Sequence, residues 1–275
     1  SFLSFTFSKD KKNNSIFPIW QNGNILFKNI GNYRQSSYEI ALQLTQRYRY
    51  FKKFLWTSNF SFVKWNNKVT AVQPGNTSVQ IAGFSDLQKV FQVGAPVGSF
   101  FGTSFLRNEE GGQIIGADGF PLVDPVPKII GNTVPDFVFK TDQQFRYKEW
   151  QFQLALEWRK GGNIWNGTAA ITDYYGRSDH SAKWRNTDNY IFPGVLENGL
   201  PNTIPVKFND PLLPVTQNRW TRYGVTGVHE AYLQDADHIR LNTVSLSRTI
   251  KGSKQFPTIQ VSASVHRVLL WSAYS

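Results

Sequence analysis

The side chains able to carry acid–base, nucleophilic or metal chemistry are few in this sequence, and none stands at a spacing such chemistry uses. The four histidines, His180, His229, His238 and His266, are dispersed, with no His-x-x-x-His or comparable metal-ligand interval. "DAD" (235–237) and "EE" (109–110) could pair carboxylates for general acid–base work. Each sits where a polar stretch meets an apolar one, so solvated charge is expected instead. "GADGFPLVD" (116–124) sets Asp118 and Asp124 among glycines, but lacks the closely spaced oxygen ligands of a calcium loop. Cysteine is absent, which removes thiol nucleophiles, thiolate metal sites and disulfides. There is no Gly-x-Ser-x-Gly and no phosphate loop, and Gly161–Gly162 reads as a strand-end kink. The expectation is no enzymatic activity, no metal and no cofactor.

Ligand contact is the chemistry that remains. The stretch 166–236 carries Tyr174, Tyr175, Trp184, Trp220 and Tyr223 among Asn, Asp and Arg. Such rings with hydrogen-bonding neighbours suit sugar faces or peptide side chains, and long loops often carry function. Contact with a partner or neighbouring subunit, or a small core of the loop's own, would use the same residues.

The elements that hold this loop have a period of two. Tyr38, Ile40, Leu42 and Leu44 alternate with Glu39, Ala41, Gln43 and Thr45. Ile259, Val261, Ala263 and Val265 alternate with Gln260, Ser262, Ser264 and His266. Alternation over 8–10 residues indicates half-exposed strands, and about nine are expected: 1–8, 36–47, 54–65, 87–94, 98–107, 136–147, 150–165, 237–250 and 258–272. Links at 48–54, 94–98, 147–150 and 250–256 are short; those at 9–32, 67–85, 108–134 and 166–236 are long and polar. An up-and-down sheet then has its tight turns at one end and its long loops at the other, as outer-membrane barrels do.

"KEWQFQLALEWRKGGNIWNG" (148–167) carries the sharpest signal. Trp150, Phe152, Leu154, Leu156 and Trp158 share one face, against Gln151, Gln153, Ala155, Glu157 and Arg159. Eight residues rise about 26 Å, or about 20 Å along a membrane normal at a tilt of roughly 40°, close to a barrel's apolar band of about 25 Å. Tryptophan suits both edges of that band, and the polar face would meet a wet lumen, where His266 also points. The five apolar residues are expected to face lipid; a soluble sandwich explains the leucines but less easily the two terminal indoles. No window approaches 18 consecutive apolar residues, which excludes membrane helices and leaves a β-barrel open.

Thirty basic against nineteen acidic residues give +11, a balance that fits nucleic acid or an anionic surface. The charges are scattered (Lys11–Lys12, Lys52–Lys53, Arg146, Arg159–Lys160, Arg219, Arg222), without an RNA-binding signature. A solvated or lipid-phosphate-facing surface is therefore expected, and no nucleic acid. The chain shows no methionine and opens directly into "SFLSFTFS", so it is expected to be a processed product or a piece of something longer, an incomplete barrel segment.

Four segments resemble one family. "VGAPVGSFFG" (93–102), "IIGNTVPDFVFKTDQQFRYKEWQFQLAL" (129–156), "ADHIRLNTVSLSRTI" (236–250) and "NIGNYRQSSYEIALQL" (29–44) are similar, in order, to elements of the C-terminal barrel of SusC/RagA-like TonB-linked outer-membrane transporters. The last does so through Gly31 and Glu39. Departures are Ser37 for glycine, His238 for an aromatic and Arg248 for tyrosine. The resemblance implies an all-β, antiparallel up-and-down barrel of the 22-stranded, plugged type, in the outer membrane of a Bacteroidota-like Gram-negative bacterium. It implies import of glycans or peptides with a SusD-like lipoprotein lid, and energy from TonB through an N-terminal region not in this sequence. It also implies contact with outer-membrane lipid or lipopolysaccharide. A scaffold role beside other subunits of an outer-membrane complex is the alternative.

Overall fold

The computed structural model describes residues 1–21, 24–47, 53–83, 86–253 and 257–273. Among these, seven strands form one antiparallel sheet in which spatial order equals chain order. They are β1 (Phe2–Gln21), β2 (Asn24–Arg47), β3 (Phe54–Val72), β4 (Phe137–Tyr147), β5 (Trp150–Lys160), β6 (His238–Ile250) and β7 (Ile259–Ser272). This is an all-β, up-and-down wall that does not close on itself.

Register makes the two faces continuous across every strand. Phe5, Ile40, Phe62, Phe139, Trp158, Ile239 and Trp271 are successive cross-strand partners, one from each strand and all apolar. On the opposite face the neighbouring row reads Ser4, Ala41, Ser61, Lys140, Glu157, Arg240 and Leu270. Side chains of consecutive residues leave a strand on opposite sides, so the facing read in β5 extends across the sheet, with Ser58, Thr141 and Gln143 as a polar group on the apolar face. The apolar face is uncovered: Trp150 is 44% and Trp158 43% exposed, and Phe5, Ile40, Ile239 and Trp271 are exposed too.

Two of the nine expected strands are not in the wall. Residues 87–94 and 98–107 contribute instead to a separate four-stranded sheet of Ser78–Gly83, Gln88–Gln92, Ser99–Gly102 and Lys128–Gly131. Alternation reports a half-buried strand without saying which sheet buries it, and the turn at 94–98 belongs to this smaller sheet. The expected strand 150–165 stops at Lys160; Asn163–Trp165 pairs with Leu233–Asp235. The loop expected at 9–32 is largely strand, because the β1–β2 ladder continues from Phe2↔Gln43 to Gln21↔Asn24 with register shifts between Lys12 and Ile16. Past the apolar band the hairpin runs through the polar stretch Ser8–Ser15, and pairing persists where the alternating pattern ends. β1, β2 and β3 run 20, 24 and 19 residues against 11, 11, 13 and 14 in β4 to β7.

The turn Lys148–Glu149 joins β4 to β5, with Lys148 at φ 54. The turn expected at 48–54 falls largely, and that at 250–256 partly, outside the described residues. At the opposite end stand two large excursions, 73–136 and 161–237. The first docks on the inner side of the tall hairpin, where Ile30, Val69 and Phe91 are buried with Phe17, Tyr33 and Val79 around them. Backbone bonds lock the contact: Val69 N–H donates to Ala95 O (2.9 Å) and Gly94 N–H to Val69 O (3.0 Å). The second excursion holds three short helices, α1 (Gly167–Tyr174), α2 (Asp179–Trp184) and α3 (Arg219–Tyr223). Its strand Val195–Leu196 pairs with Ile114–Ile115 of the first, so the two excursions form one head.

Gly31 allows β2 to approach β3 at the head. Its φ is +146°, and a Cβ there would lie 2.1 Å from Ala71 O. Gly31→Ala in the protein carrying this chain is expected to cost about 2 kcal/mol or more, read as a lower thermal midpoint by far-UV dichroism. An unchanged midpoint would contradict the close approach.

Candidate functional site

The inner face is wired by side chains. Gln153 Nε2 donates to Asp142 Oδ2 (2.6 Å), Gln144 Nε2 to Asp142 Oδ1 (3.0 Å), and Lys140 Nζ sits 3.4 Å from Glu157. Near the head this face opens into a cleft of about 300 Å³ lined by Trp65, Lys140, Glu157, Arg159, His238 and Arg240. Arg159 is anchored by Thr133 O (2.8 Å), while its Nε and His238 Nε2 are buried with no hydrogen-bond partner among the described residues. His238 Nε2 stands 3.8 Å from Glu157. Three cations around one carboxylate make a wall able to hold an anionic or hydrogen-bonding group.

The head separates the five aromatics singled out in 166–236. Trp220 (3% exposed) and Tyr223 (1% exposed) are core, packed with Ile115, Phe120, Phe192, Val206, Phe208 and Val228. Tyr223 donates its hydroxyl to Pro121 O (2.6 Å), and Arg219 lies over Trp220 at 4.9 Å. Arg222 pairs with Asp118 (2.6 Å) and stacks on Phe120 (4.2 Å), so Asp118 is the arginine's counter-charge. Tyr223 and Trp220 offer no surface to a ligand in this arrangement. Tyr175 (68% exposed) and Trp184 (42% exposed) do; half-buried Tyr174 packs edge-on against Tyr175 at 5.1 Å.

A second cleft, of about 760 Å³, lies under α1 and α2. Its floor is Asp173, 4% exposed, which accepts from Tyr232 Oη (3.0 Å) and from Ser178 Oγ, with His180 Nδ1 3.7 Å away. Serine, histidine and aspartate meet here without forming a nucleophile. Ser178 Oγ gives its proton to Asp173 and accepts the Ser181 N–H (2.8 Å) as the α2 cap, so no base reaches it. Sequence reasoning passed over this group because the three residues have no motif spacing; the capping residues Asn166, Ser178 and Asn218 were the available signal.

The remaining candidates have structural partners. Asp237 binds Lys160 and the Gly161 N–H, which hold its carboxyl below the usual range. Asp124 pairs with Lys128 at 2.8 Å. His266 is exposed on the polar face beside Thr243 (3.2 Å). His229 is buried, 2.8 Å from Thr103 Oγ1 and 3.6 Å from Asp86. Among the described residues no three metal-binding side chains cluster.

No protein-family model matches the chain. It is 25% identical over 193 residues to the TonB-dependent receptor P3 of Formosa agariphila, a match spanning 60% of this chain and 19% of that protein. Among solved structures, a chain of the RagAB peptide transporter superposes on 99% of this chain with a TM-score of 0.65 at 12% identity. The RagAB peptide importer in its "open-open" state gives 0.62 at 13%. This chain covers 30% and 29% of those two chains. The resemblance to SusC/RagA-like TonB-linked transporters is thus borne out, and the fold is that of a segment of such a barrel.

Two outcomes follow for the head. Trp220→Ala is expected to cost about 3–5 kcal/mol, and Trp184→Ala no more than about 0.5; hydrogen exchange across 166–236 should show loss of protection for the first alone. Burial pushes the His229 imidazole below its usual 6.5, against a weaker upward pull from Asp86. Below that pH the unfolded chain binds more protons than the folded head, so stability falls as pH drops from about 6.5. His229→Asn should flatten that decline in unfolding midpoints measured from pH 7.5 to 5, and a decline of equal slope would contradict the assignment.

Proposed function

We propose that the chain forms part of the transmembrane wall and external head of a SusC-like TonB-dependent importer in the outer membrane of a Bacteroidota-like bacterium. One observation carries this: a seven-strand meander whose uncovered face is apolar in every strand along the row from Phe5 to Trp271 and mostly apolar beside it, where Ser58, Thr141 and Gln143 bond to one another, and whose other face is polar and wired. Water gives no reason to leave such a face bare, whereas lipid does. Trp150, Phe152, Leu154, Leu156 and Trp158 then face lipid, with Trp150 and Trp158 at its two borders.

The outer edges of β1 and β7 need further strands, since unpaired backbone groups are not tolerated in lipid. The solved chains, of which this one covers about 30%, are long enough to supply them in a 22-stranded type of barrel. Segment 166–236 would be external. Its exposed Tyr175 and Trp184, with the cleft over Asp173, would meet either cargo or a SusD-like lipoprotein lid; Tyr174 would brace Tyr175. Cargo would be a glycan or peptide, bound and passed without catalysis, and TonB would act through a region outside this sequence.

A second reading is a scaffold subunit of a larger outer-membrane assembly, favoured by the departures at Ser37, His238 and Arg248. The two are separated by uptake of labelled oligosaccharides and peptides in cells with and without the proton gradient, together with co-purification of a lipoprotein. Energy-dependent uptake with a bound lipoprotein supports import; neither, with retention of other membrane subunits, supports the scaffold. For the wall, Leu154→Arg should cost about 2–4 kcal/mol and Gln153→Arg little, measured as the folded fraction on heat-modifiability gels. The reverse order would contradict the facing.

A further inference from the structure

The sequence scatters its positive charge, but strand register gathers five cations. On the apolar face, the rows above Phe5–Ile40–Phe62 read Phe7–Tyr38–Lys64, then Lys9–Ser36–Asn66, then Lys11–Arg34–Lys68. All five cations are exposed, and none takes part in the ion pairs found among the described residues. No carboxylate shares these rows on this face: Asp10 and Glu39 belong to the other side of the sheet, where Asp10 lies 4.0 Å from Lys12. Farther along the wall, Lys160 also stands at the head end of this face, but it is neutralised by Asp237.

Lys11, Arg34 and Lys68 are direct cross-strand neighbours, and like charges so placed repel. Among the described residues no carboxylate pairs with them, and the first excursion docks on the inner side of these strands through Ile30, Val69 and Phe91. The outer side is left to an anion from elsewhere. Below the stripe, Phe7 and Tyr38 pack ring to ring at 4.9 Å, both exposed, which is the place of an aromatic belt.

We propose that Lys9, Lys11, Arg34, Lys64 and Lys68 bind the phosphates of a phosphorylated glycolipid in the outer leaflet. This rests on the reading of the wall as membrane-spanning. Rows two residues apart on strands tilted about 40° rise roughly 5 Å each, so the stripe stands about 5 to 15 Å above the last all-apolar row. A phospholipid headgroup layer is only about 5–8 Å deep. Phosphates carried on a sugar headgroup reach the upper row, and long lysine and arginine stems extend to meet them.

The test uses the full protein in nanodiscs of neutral phosphatidylcholine doped with phosphorylated lipid A, its dephosphorylated form, or phosphatidylglycerol, with lipid retention read by native mass spectrometry. Wild type should retain phosphorylated lipid A preferentially, and each Lys→Gln or Arg→Gln change should weaken retention by about fivefold. All five together should abolish the preference, while Lys12→Gln on the opposite face leaves it intact. Equal retention of the dephosphorylated lipid or of phosphatidylglycerol, or full competition by inorganic phosphate, would overturn the inference. Insertion into neutral nanodiscs with no phosphate preference would sink the stripe alone; failure to insert in any of them would sink the membrane reading as well.

Discussion

A strand that crosses hydrocarbon has no water to bond its N–H and C=O groups, so every one of them must find a partner in the next strand. On the membrane-wall reading proposed above, the arrangement of the sheet follows from that constraint. It demands an unbroken antiparallel ladder from β1 to β7, and the only freedom left is which way each side chain points. Once the ladder is fixed, Phe5, Ile40, Phe62, Phe139, Trp158, Ile239 and Trp271 fall on one face together. A slip of one residue in any strand would send its apolar set into the wet side. Bulges, as between Ala155 and Leu156 against β6 and between Asn32 and Tyr33 against β3, bend the strands without breaking this segregation.

The constraint relaxes at the head, and the structure changes character there. Short helices, a small sheet and a parallel bridge appear only where backbone groups can be satisfied by water or by each other. The head is held by an aromatic core around Trp220 and Tyr223 and by Arg107, whose guanidinium lies 2.8 Å from Glu230 and ties the first excursion to the second. The head therefore presents a firm surface over the wall, with its openings at Asp173 and along Arg159 and His238.

The wall was legible in the sequence where apolar and polar residues alternate: Ile259–Ser272 is a strand as read, and Trp150–Lys160 is the wall part of the strand read at 150–165. Legibility failed away from that alternation. The polar run around Lys9–Lys12 looked like a loop yet remains paired, and the strand read at 87–94 supplies Gln88–Gln92 to the head's own sheet. In 166–236, ring type alone could not separate buried Trp220 and Tyr223 from exposed Tyr175 and Trp184. The basic stripe was invisible for a simpler reason: its members lie on three strands and meet only through register.

The most direct measurement exploits the absence of cysteine in this sequence. Single replacements Phe152→Cys, Leu154→Cys and Leu156→Cys, alternating with Gln151→Cys, Gln153→Cys and Glu157→Cys, would be probed in intact membranes with a water-soluble maleimide and a lipid-dissolved one. The account predicts strict alternation, the first three reacting only from the lipid and the other three only from water. Uniform reaction with the aqueous reagent, or alternation of the opposite phase, would contradict it.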